Sequence, residues 1–304
     1  MLSPTEIDRI ISSIEYHYSL MIFTSLGEEA LSETDKLLLQ SYGVNLAEID
    51  LRYPPYYRNF LLGRLTAILK EKDLRQLNGE DFRLFIEKGQ YVPLSSRERE
   101  EYEIARAKTY NHIKGLANKI TGQTRDILLE QNKMDLIADE LLEGVRERKS
   151  AAKIISTIGH RTEEWDRDWK RIVVTELQDI YNLGRAVEFA KRYTDEVLVW
   201  KQVYEKACRH CISLYLTHGI GSQPKVFKLK DLRLNGTNIG LKTFEWKAIV
   251  GTTHPHCRCD LMVTFKGQVW NEEKQRWDYP PVKAEDRKST TKTKMMVGDK
   301  EFWI

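Results

Sequence analysis

Cysteine is scarce in this chain of 304 residues, which contains only four. In a reducing compartment so few cysteines argue against a disulfide framework, and a chain of this length buries a core without covalent cross-links. Long apolar runs are also lacking, since none approaches the roughly 20 residues that a membrane-spanning helix needs. With a mean hydropathy of -0.51, the sequence predicts a folded, soluble protein that has no membrane as a partner.

An excess of one charge is missing as well. The chain has 48 Lys and Arg residues against 45 Asp and Glu residues, which gives a formal net charge of +3. This balance is too mild to indicate nucleic-acid binding by itself. The first residues are partly acidic and lack the basic and apolar segments of a secretory signal peptide. We therefore expect synthesis in the cytoplasm.

Helical periodicity dominates the first two thirds of the chain. A long helix is predicted over about residues 96–131 because apolar positions recur at spacings of three, four or seven. These positions are Ala105, Thr109, Ile113, Leu116, Ile120 and Ile127. A second long helix is predicted over about 162–193, with Glu176 on its apolar face, where a carboxylate usually has a polar partner. Shorter helices are predicted near residues 57–72, 81–88, 135–147 and 150–160.

The pattern changes after residue 195 to short runs typical of strands. Residues 197–204 and 261–265 are predicted strands, and Trp270 and Trp277 flank a predicted hairpin tip. The predicted fold class is therefore α+β. A mainly helical N-terminal region with long amphipathic helices (1–149) precedes a small zinc-stapled α+β module (150–265), followed by a hairpin and an extended C-terminal tail (266–304).

The four cysteines lie in two short clusters. The first is Cys208-Arg209-His210-Cys211, and the second is His254-Pro255-His256-Cys257-Arg258-Cys259. A C-x-x-C pair presents two thiolates from one tight turn, at the separation that tetrahedral Zn²⁺ requires. If both clusters bind one ion, the energy of metal binding becomes folding energy for the segment between them. The sequence thus predicts a structural zinc site within residues 197–265.

The ligand set stays open at this stage. Cys208, Cys211, Cys257 and Cys259 form a four-thiolate site, whereas His254 with Cys257 repeats the spacing of the first pair. His254 with Cys259 is a further alternative. A Cys257–Cys259 disulfide is disfavoured because its ring would be strained. A catalytic metal, a redox-active C-x-x-C pair and a metal-free cluster are the remaining alternatives.

These motifs carry a resemblance to a known family. The residues concerned are Thr175-Glu176, Asn182-x-Gly184, Trp200, Cys208-x-x-Cys211 and His254-Pro255-His256-Cys257-Arg258-Cys259. Together they resemble the head morphogenesis (minor capsid) domain of tailed bacteriophages, the Mu F-like family, over about residues 150–265. The segment 89–95 is similar to the leading portion of such proteins, with less specificity. The family usually carries an arginine just before the threonine, and Val174 stands there in this chain.

The resemblance implies a structural protein of the virion and no enzyme. Such a protein associates with the portal vertex or the inner capsid during procapsid assembly, and contacts DNA in packaging or ejection. Its expected partners are the portal protein and other capsid or scaffold proteins, with DNA as a further partner and no small-molecule substrate. Its expected locations are the host cytoplasm during assembly and then the virion.

Two rival functions rest on the same residues. A metal-dependent nuclease would use His254 or His256 as the general base, with Asp260 and Asn238 as the local candidate ligands of a second metal. A zinc-containing DNA-binding module would use a basic patch instead. That patch would consist of Arg209, Arg258, Lys225, Lys228 and Lys230.

Overall fold

The computed structural model describes residues 4–49, 53–129, 165–238, 240–279 and 293–304. The chain divides into two compact units. Unit 1 comprises Met1–Tyr57 and Glu100–Val173, and unit 2 comprises Arg58–Arg99 and Val174–Ile304. This grouping differs from the predicted boundaries, since residues 58–99 and the C-terminal segment share a unit with the cysteines. The predicted boundary at 149/150 and the predicted helices 135–147 and 150–160 lie outside the described residues.

Unit 1 is built from helices. Helix α1 spans Pro4–Leu26, α2 spans Glu33–Ser41, and residues 100–129 belong to α6, which spans Ser96–Leu129. The predicted apolar stripe of α6 is buried at Thr109, Ile113 and Ile120. The long helix predicted from about residue 96 is therefore confirmed.

A buried carboxylate organises the start of α2. Ser32 and Asp35 form a capping box, in which each side chain bonds the other residue's backbone amide. Asp35 is also bonded by the Ser19 hydroxyl at 2.6 Å, by the Tyr110 hydroxyl at 2.9 Å and by the Lys114 ammonium group. Burial raises the pKa of Asp35, but the hydrogen bonds from Lys114, Ser19 and Ser32 outweigh it and lower the pKa to about 2.

The helices of unit 2 come from both parts of the chain. Their bounds are Pro55–Ile68 for α3, Glu71–Leu74 for α4, Gly79–Glu87 for α5, Trp165–Tyr193 for α7, Arg209–Tyr215 for α8 and Leu229–Leu234 for α9. The first residues of α3 and α7 belong to unit 1. The side chains of α7 are described from Thr175 onward, and Glu176 is buried there among Ile180 and Val187.

Helices α3 and α7 approach each other closely through two glycines. A Cβ at Gly63 would lie 2.1 Å from the Tyr181 carbonyl oxygen, and a Cβ at Gly184 would lie 2.2 Å from the Phe60 carbonyl oxygen. Only glycine permits such a backbone approach. Next to this crossing, Arg64 and Glu188 form a buried ion pair at 3.2 Å.

A small antiparallel sheet carries the centre of unit 2. Its strands are β1 (Leu198–Gln202), β2 (Phe227–Lys228) and β3 (Asp260–Thr264), in the order β2-β1-β3. Strand β1 pairs with β3 from Leu198 opposite Thr264 to Gln202 opposite Asp260. The hairpin predicted around Trp270 and Trp277 is confirmed as β4 (Val269–Asn271) and β5 (Arg276–Asp278).

The predicted extended tail is wrong for the residues described after 292. Strands β6 (Lys294–Val297) and β7 (Lys300–Trp303) form a hairpin that packs on α5. Val297 and Phe302 are buried, and the Gln90 side chain exchanges hydrogen bonds of 2.7 and 2.8 Å with the Gly298 backbone. The pattern of apolar residues in so short a segment gave no signal of this docking, because the contact partner lies about two hundred residues away.

The predicted fold class holds in its coarse form. The chain is α+β, with a helical N-terminal region and a small strand-containing C-terminal region. Within the part of the chain that the structure describes, no helix combines the length and hydropathy needed to cross a membrane.

Candidate metal centre

The first cysteine pair lies at the start of a short helix. Cys208 is the N-cap of α8, and its carbonyl oxygen accepts the Ile212 amide at 3.1 Å. Cys211 is in the first turn of the same helix and is buried. A spacing of three residues on a helical turn places both thiols on one side.

A tight turn shapes the second cluster. The Cys257 amide donates to the His254 carbonyl oxygen at 3.0 Å, and His256 between them has a φ of 62°. This left-handed conformation, unusual for a residue with a side chain, turns the chain so that His254 and Cys257 face the first pair. Cys259 follows at the start of β3 and is buried.

The structure brings all five predicted ligands together. The His254 Nε2 atom lies 3.1 Å from the sulfur atoms of both Cys208 and Cys211, and the sulfur atoms of Cys211 and Cys257 are 3.8 Å apart. Cys208, Cys211 and His254 form one group with donor atoms within 4.8 Å, and Cys211, Cys257 and Cys259 form another. Bonds of about 2.3 Å place two sulfur ligands of a tetrahedral zinc ion roughly 3.8 Å apart. The Cys211–Cys257 separation matches this spacing, and Cys211 belongs to both groups, so the cluster has donor atoms that could hold a metal ion.

The tautomer of His254 suits a ligand. Its Nδ1 atom lies 2.7 Å from the Pro255 carbonyl oxygen, which can only accept a hydrogen bond. The proton is therefore assigned to Nδ1, and the lone pair of Nε2 points to the two thiols, as in metal-bound histidines generally. Trp246 stacks on the imidazole with ring centroids 5.8 Å apart and covers its face.

The thiols cannot all ionise in the absence of a cation. Hydrogen bonds with Cys257 and Cys259, together with burial, raise the pKa of Cys211. Hydrogen bonds from Cys211 and Cys259 lower the pKa of Cys257. Since neighbouring thiolates repel each other, a divalent cation is what allows several of them to be charged together.

One face of α7 holds the second cluster in place. Thr175, Gln178, Asp179 and Asn182 have the helical spacing that brings side chains onto a single face. Thr175 accepts the His256 amide at 3.0 Å, and Gln178 donates to the Asp260 carboxylate at 2.8 Å. Asp179 accepts the Thr252 amide at 2.7 Å. Asn182 donates to the Cys259 carbonyl oxygen at 3.0 Å and accepts the Leu261 amide at 2.8 Å. The cluster is therefore positioned by a rigid helix rather than by its own loop alone.

A buried lysine next to the cluster escaped the sequence analysis. Lys201 on β1 has no solvent exposure, and its Nζ donates to the carbonyl oxygens of Val250 and Gly251, the latter at 2.9 Å. Successive residues of a strand face opposite sides, so Lys201 shares the core side with Val197 and Val199. In the sequence, Lys201 continues the alternation of Val197 and Val199, and this pattern was the available signal of its buried position.

The residues of the nuclease hypothesis are engaged in structural contacts. The Asn238 side-chain nitrogen donates to the Lys247 carbonyl oxygen at 3.0 Å, and its side-chain oxygen accepts the Lys247 backbone amide at 3.0 Å. Asp260 accepts from Gln178, and both nitrogens of His254 are directed at the thiols and at Pro255. These contacts tie Asn238 and Asp260 to the scaffold.

Three of the five cations of the DNA-binding hypothesis have polar partners within the chain. Lys228 and Lys230 both pair with Glu196, and the Lys225 ammonium group donates to the Ser213 carbonyl oxygen at 2.7 Å. The remaining two cations are Arg209, which is exposed, and Arg258, whose guanidinium lies 5.9 Å from the Tyr204 ring centroid. Arg258 and Tyr204 also line a cavity of about 430 Å³ beside β1.

Comparisons of the chain with protein-family models, with curated proteins and with solved structures find no match. Function is therefore inferred from the residues and their geometry.

Proposed function

We propose that this site binds one structural zinc ion through Cys208, Cys211, His254 and Cys257. Support comes from the convergence of donor atoms from two turns 46 residues apart, including the 3.8 Å separation of the Cys211 and Cys257 sulfur atoms. Both turns have a donor at positions i and i+3, which is the usual arrangement of a zinc knuckle. Four protein ligands close the coordination sphere, and a closed zinc site has no position for a substrate or an activated water molecule.

Cys259 is assigned a supporting role in this site. Hydrogen bonding with Cys257 and burial raise its pKa to about 11, against the lowering effect of Cys211. A neutral Cys259 thiol then donates to a neighbouring thiolate. Outer groups of this kind orient ligands and tune their basicity.

We further propose that the chain is a structural minor head protein of a tailed bacteriophage. The structural roles of the residues that carry the family resemblance support this proposal. Thr175 and Asn182 hold the second cluster, Gly184 permits the helix crossing, and the cysteines and His254 supply the metal ligands. The residues that resemble the Mu F-like family thus build a scaffold, as expected of an assembly protein without enzymatic activity.

The proposed partners and locations follow from the same resemblance. The protein would bind the portal protein or other capsid and scaffold proteins in the host cytoplasm and remain in the virion at the portal vertex or inner capsid. DNA contact during packaging or ejection is part of this proposal. A nuclease or a separate zinc-containing DNA-binding module is less favoured, because Asn238, Asp260, Lys228 and Lys230 already have partners within the chain.

Matched cysteine variants test the metal site. Zinc content of the purified protein should be close to one equivalent per chain, and Cys257→Ser should lower it strongly. Cys259→Ser removes an equally buried thiol two residues further along the chain and therefore controls for packing. It should retain zinc, with weaker affinity. Less than about half an equivalent in the unmodified chain would refute the site. If Cys259→Ser loses zinc while Cys257→Ser retains it, Cys259 is the ligand and Cys257 has the supporting role.

Co-expression tests the assembly function. The chain is produced together with the portal protein encoded in the same genome, and the two are expected to co-purify at a fixed ratio through size-exclusion chromatography. Cys208→Ser serves as a variant in which the metal centre is disrupted, and it should bind the portal less tightly. Separate elution of the unmodified chain from an assembled portal, or nicking of plasmid DNA with Mg²⁺ or Mn²⁺, would argue against the proposal.

A further inference from the structure

We propose that Lys201 compensates the charge of the metal centre, so that zinc binding and the burial of the Lys201 ammonium group stabilise each other. The inference rests on the proposed zinc site and adds to it a residue that is not a ligand. It assigns a function to the one side chain of β1 whose chemistry contradicts its position, a lysine in the core-facing phase of the strand.

The position of Lys201 joins both ends of the ligand-bearing segment. Its Nζ holds the carbonyl oxygens of Val250 and Gly251, just before the second cluster. Its backbone pairs with Leu261 on β3, just after that cluster. The ammonium group is therefore enclosed by the same segment that carries His254 and Cys257.

The burial of this ammonium group requires an explanation. Lys201 is fully buried, and its described hydrogen bonds are to neutral backbone carbonyl oxygens. Removing a cation from water without a counter-charge is energetically costly. Burial accordingly lowers the pKa of Lys201, and negative charge on Cys257 is the largest influence in the opposite direction. Thiolate charge at the metal centre is thus a source of compensation for the ammonium group.

A charge count is consistent with the proposed ligand set. A zinc ion with three thiolates and one neutral imidazole has one net negative charge, which a single ammonium group cancels. Four thiolates without His254 would leave one negative charge after that cancellation. Counting only the ion, its ligands and Lys201, the three-cysteine, one-histidine site is therefore the electrically neutral combination.

Substitution by methionine separates charge from volume. Lys201→Met keeps a long unbranched side chain, and the exposed Lys206→Met in the same unit is the matched control. Zinc affinity is measured by competition with a chromophoric chelator, and the free energy of unfolding is measured with and without zinc. We expect Lys201→Met to bind zinc about tenfold more weakly, while its zinc-free form is at least as stable as the zinc-free unmodified chain. Lys206→Met should leave both quantities unchanged.

The diagnostic result is that Lys201→Met weakens zinc binding and yet does not destabilise the zinc-free chain. Lys201→Gln keeps a hydrogen-bond donor without the charge, and it should also weaken zinc binding. Unchanged affinity in both variants, equal destabilisation of the zinc-loaded and zinc-free forms, or failure of both variants to fold with zinc present would overturn the role. Absence of zinc binding in the unmodified chain would instead refute the site itself.

Discussion

At the scale of single residues, the contact between Gly251 and Asp179 offers a direct test of how the ligand loop is held. A Cβ at Gly251 would lie 2.0 Å from an Asp179 carboxylate oxygen, whereas a Cβ at Gly219 would meet nothing within 4 Å. Gly251→Ala must therefore push the Asp179 carboxylate away from Thr252. We expect a loss of about 1–3 kcal/mol of unfolding free energy and weaker zinc binding, measured by denaturant titration and chelator competition. Gly219→Ala, the control, should change neither, and equal behaviour of the two variants would contradict the role of Asp179.

His17 in unit 1 predicts a dependence of stability on pH. Burial lowers its pKa to about 4, below the ordinary value of 6.5. As pH falls, the unfolded chain takes up this proton before the folded chain does, so stability is lost between about pH 6.5 and 4. The protection factors of α1 amides, corrected for the intrinsic pH dependence of exchange, should fall across that window. His17→Gln should remove this loss and leave only the steeper one below about pH 4, where Asp35 begins to be protonated; an unchanged profile would contradict the assignment.

The chemistry of single residues was the best-predicted aspect of the chain. Cysteine and histidine carry their chemistry in their identity, so the clusters at 208–211 and 254–259 pointed to one site before any fold was known. Lys201 was overlooked, because a lone lysine in a strand is ordinarily a surface residue. The central position of β1 between β2 and β3 makes its burial evident.

At the scale of elements, the crossing of α3 and α7 is the contact most sensitive to one added methyl group. Gly63→Ala and Gly184→Ala would each drive a Cβ into a carbonyl oxygen of the opposing helix. We expect each to lower the free energy of unfolding by about 1–3 kcal/mol, measured by thermal or denaturant unfolding. The same change at Gly115 or Gly122 of α6 meets no atom within 4 Å. There, alanine should be neutral or stabilising by up to roughly 1 kcal/mol; similar losses at all four positions would show that the crossing is not special.

Elements defined by local pattern were predicted well, and those defined by distant contacts were not. The α6 helix follows from its apolar spacing, and the 270–277 hairpin from its two tryptophans. The last twelve residues hold no comparable local signal. Their strands exist because β6 packs on α5, because Val297 and Phe302 are buried, and because Lys300 pairs with Asp81. Such pairing across the chain is not encoded in the segment itself.

At the scale of the molecule, metal removal should loosen unit 2 selectively. Its core contains three of the cysteines alongside Val199, Tyr215, Leu229 and Leu261, so an altered site disturbs packing as well as ligation. Treatment with a strong chelator should therefore raise hydrogen exchange in β1, β3 and α8 and lower the melting temperature of unit 2. The Asp35 network in α1, α2 and α6 should keep its protection. Cys208→Ser should show the loosened pattern without chelator and respond no further; a chelator effect confined to unit 1 would contradict the site.

The order in which the chain is synthesised gives the separation of the two clusters a further consequence. Helix α7, with Thr175 and Asn182 on its binding face, leaves the ribosome first, followed by Cys208 and Cys211. Their metal-binding counterparts emerge only 43 to 46 residues later. During that interval the first two thiols have no partners from the second cluster and are exposed to oxidants and to competing ions. If the site binds zinc as proposed, the first pair of thiols must therefore stay reduced until the second cluster has been synthesised.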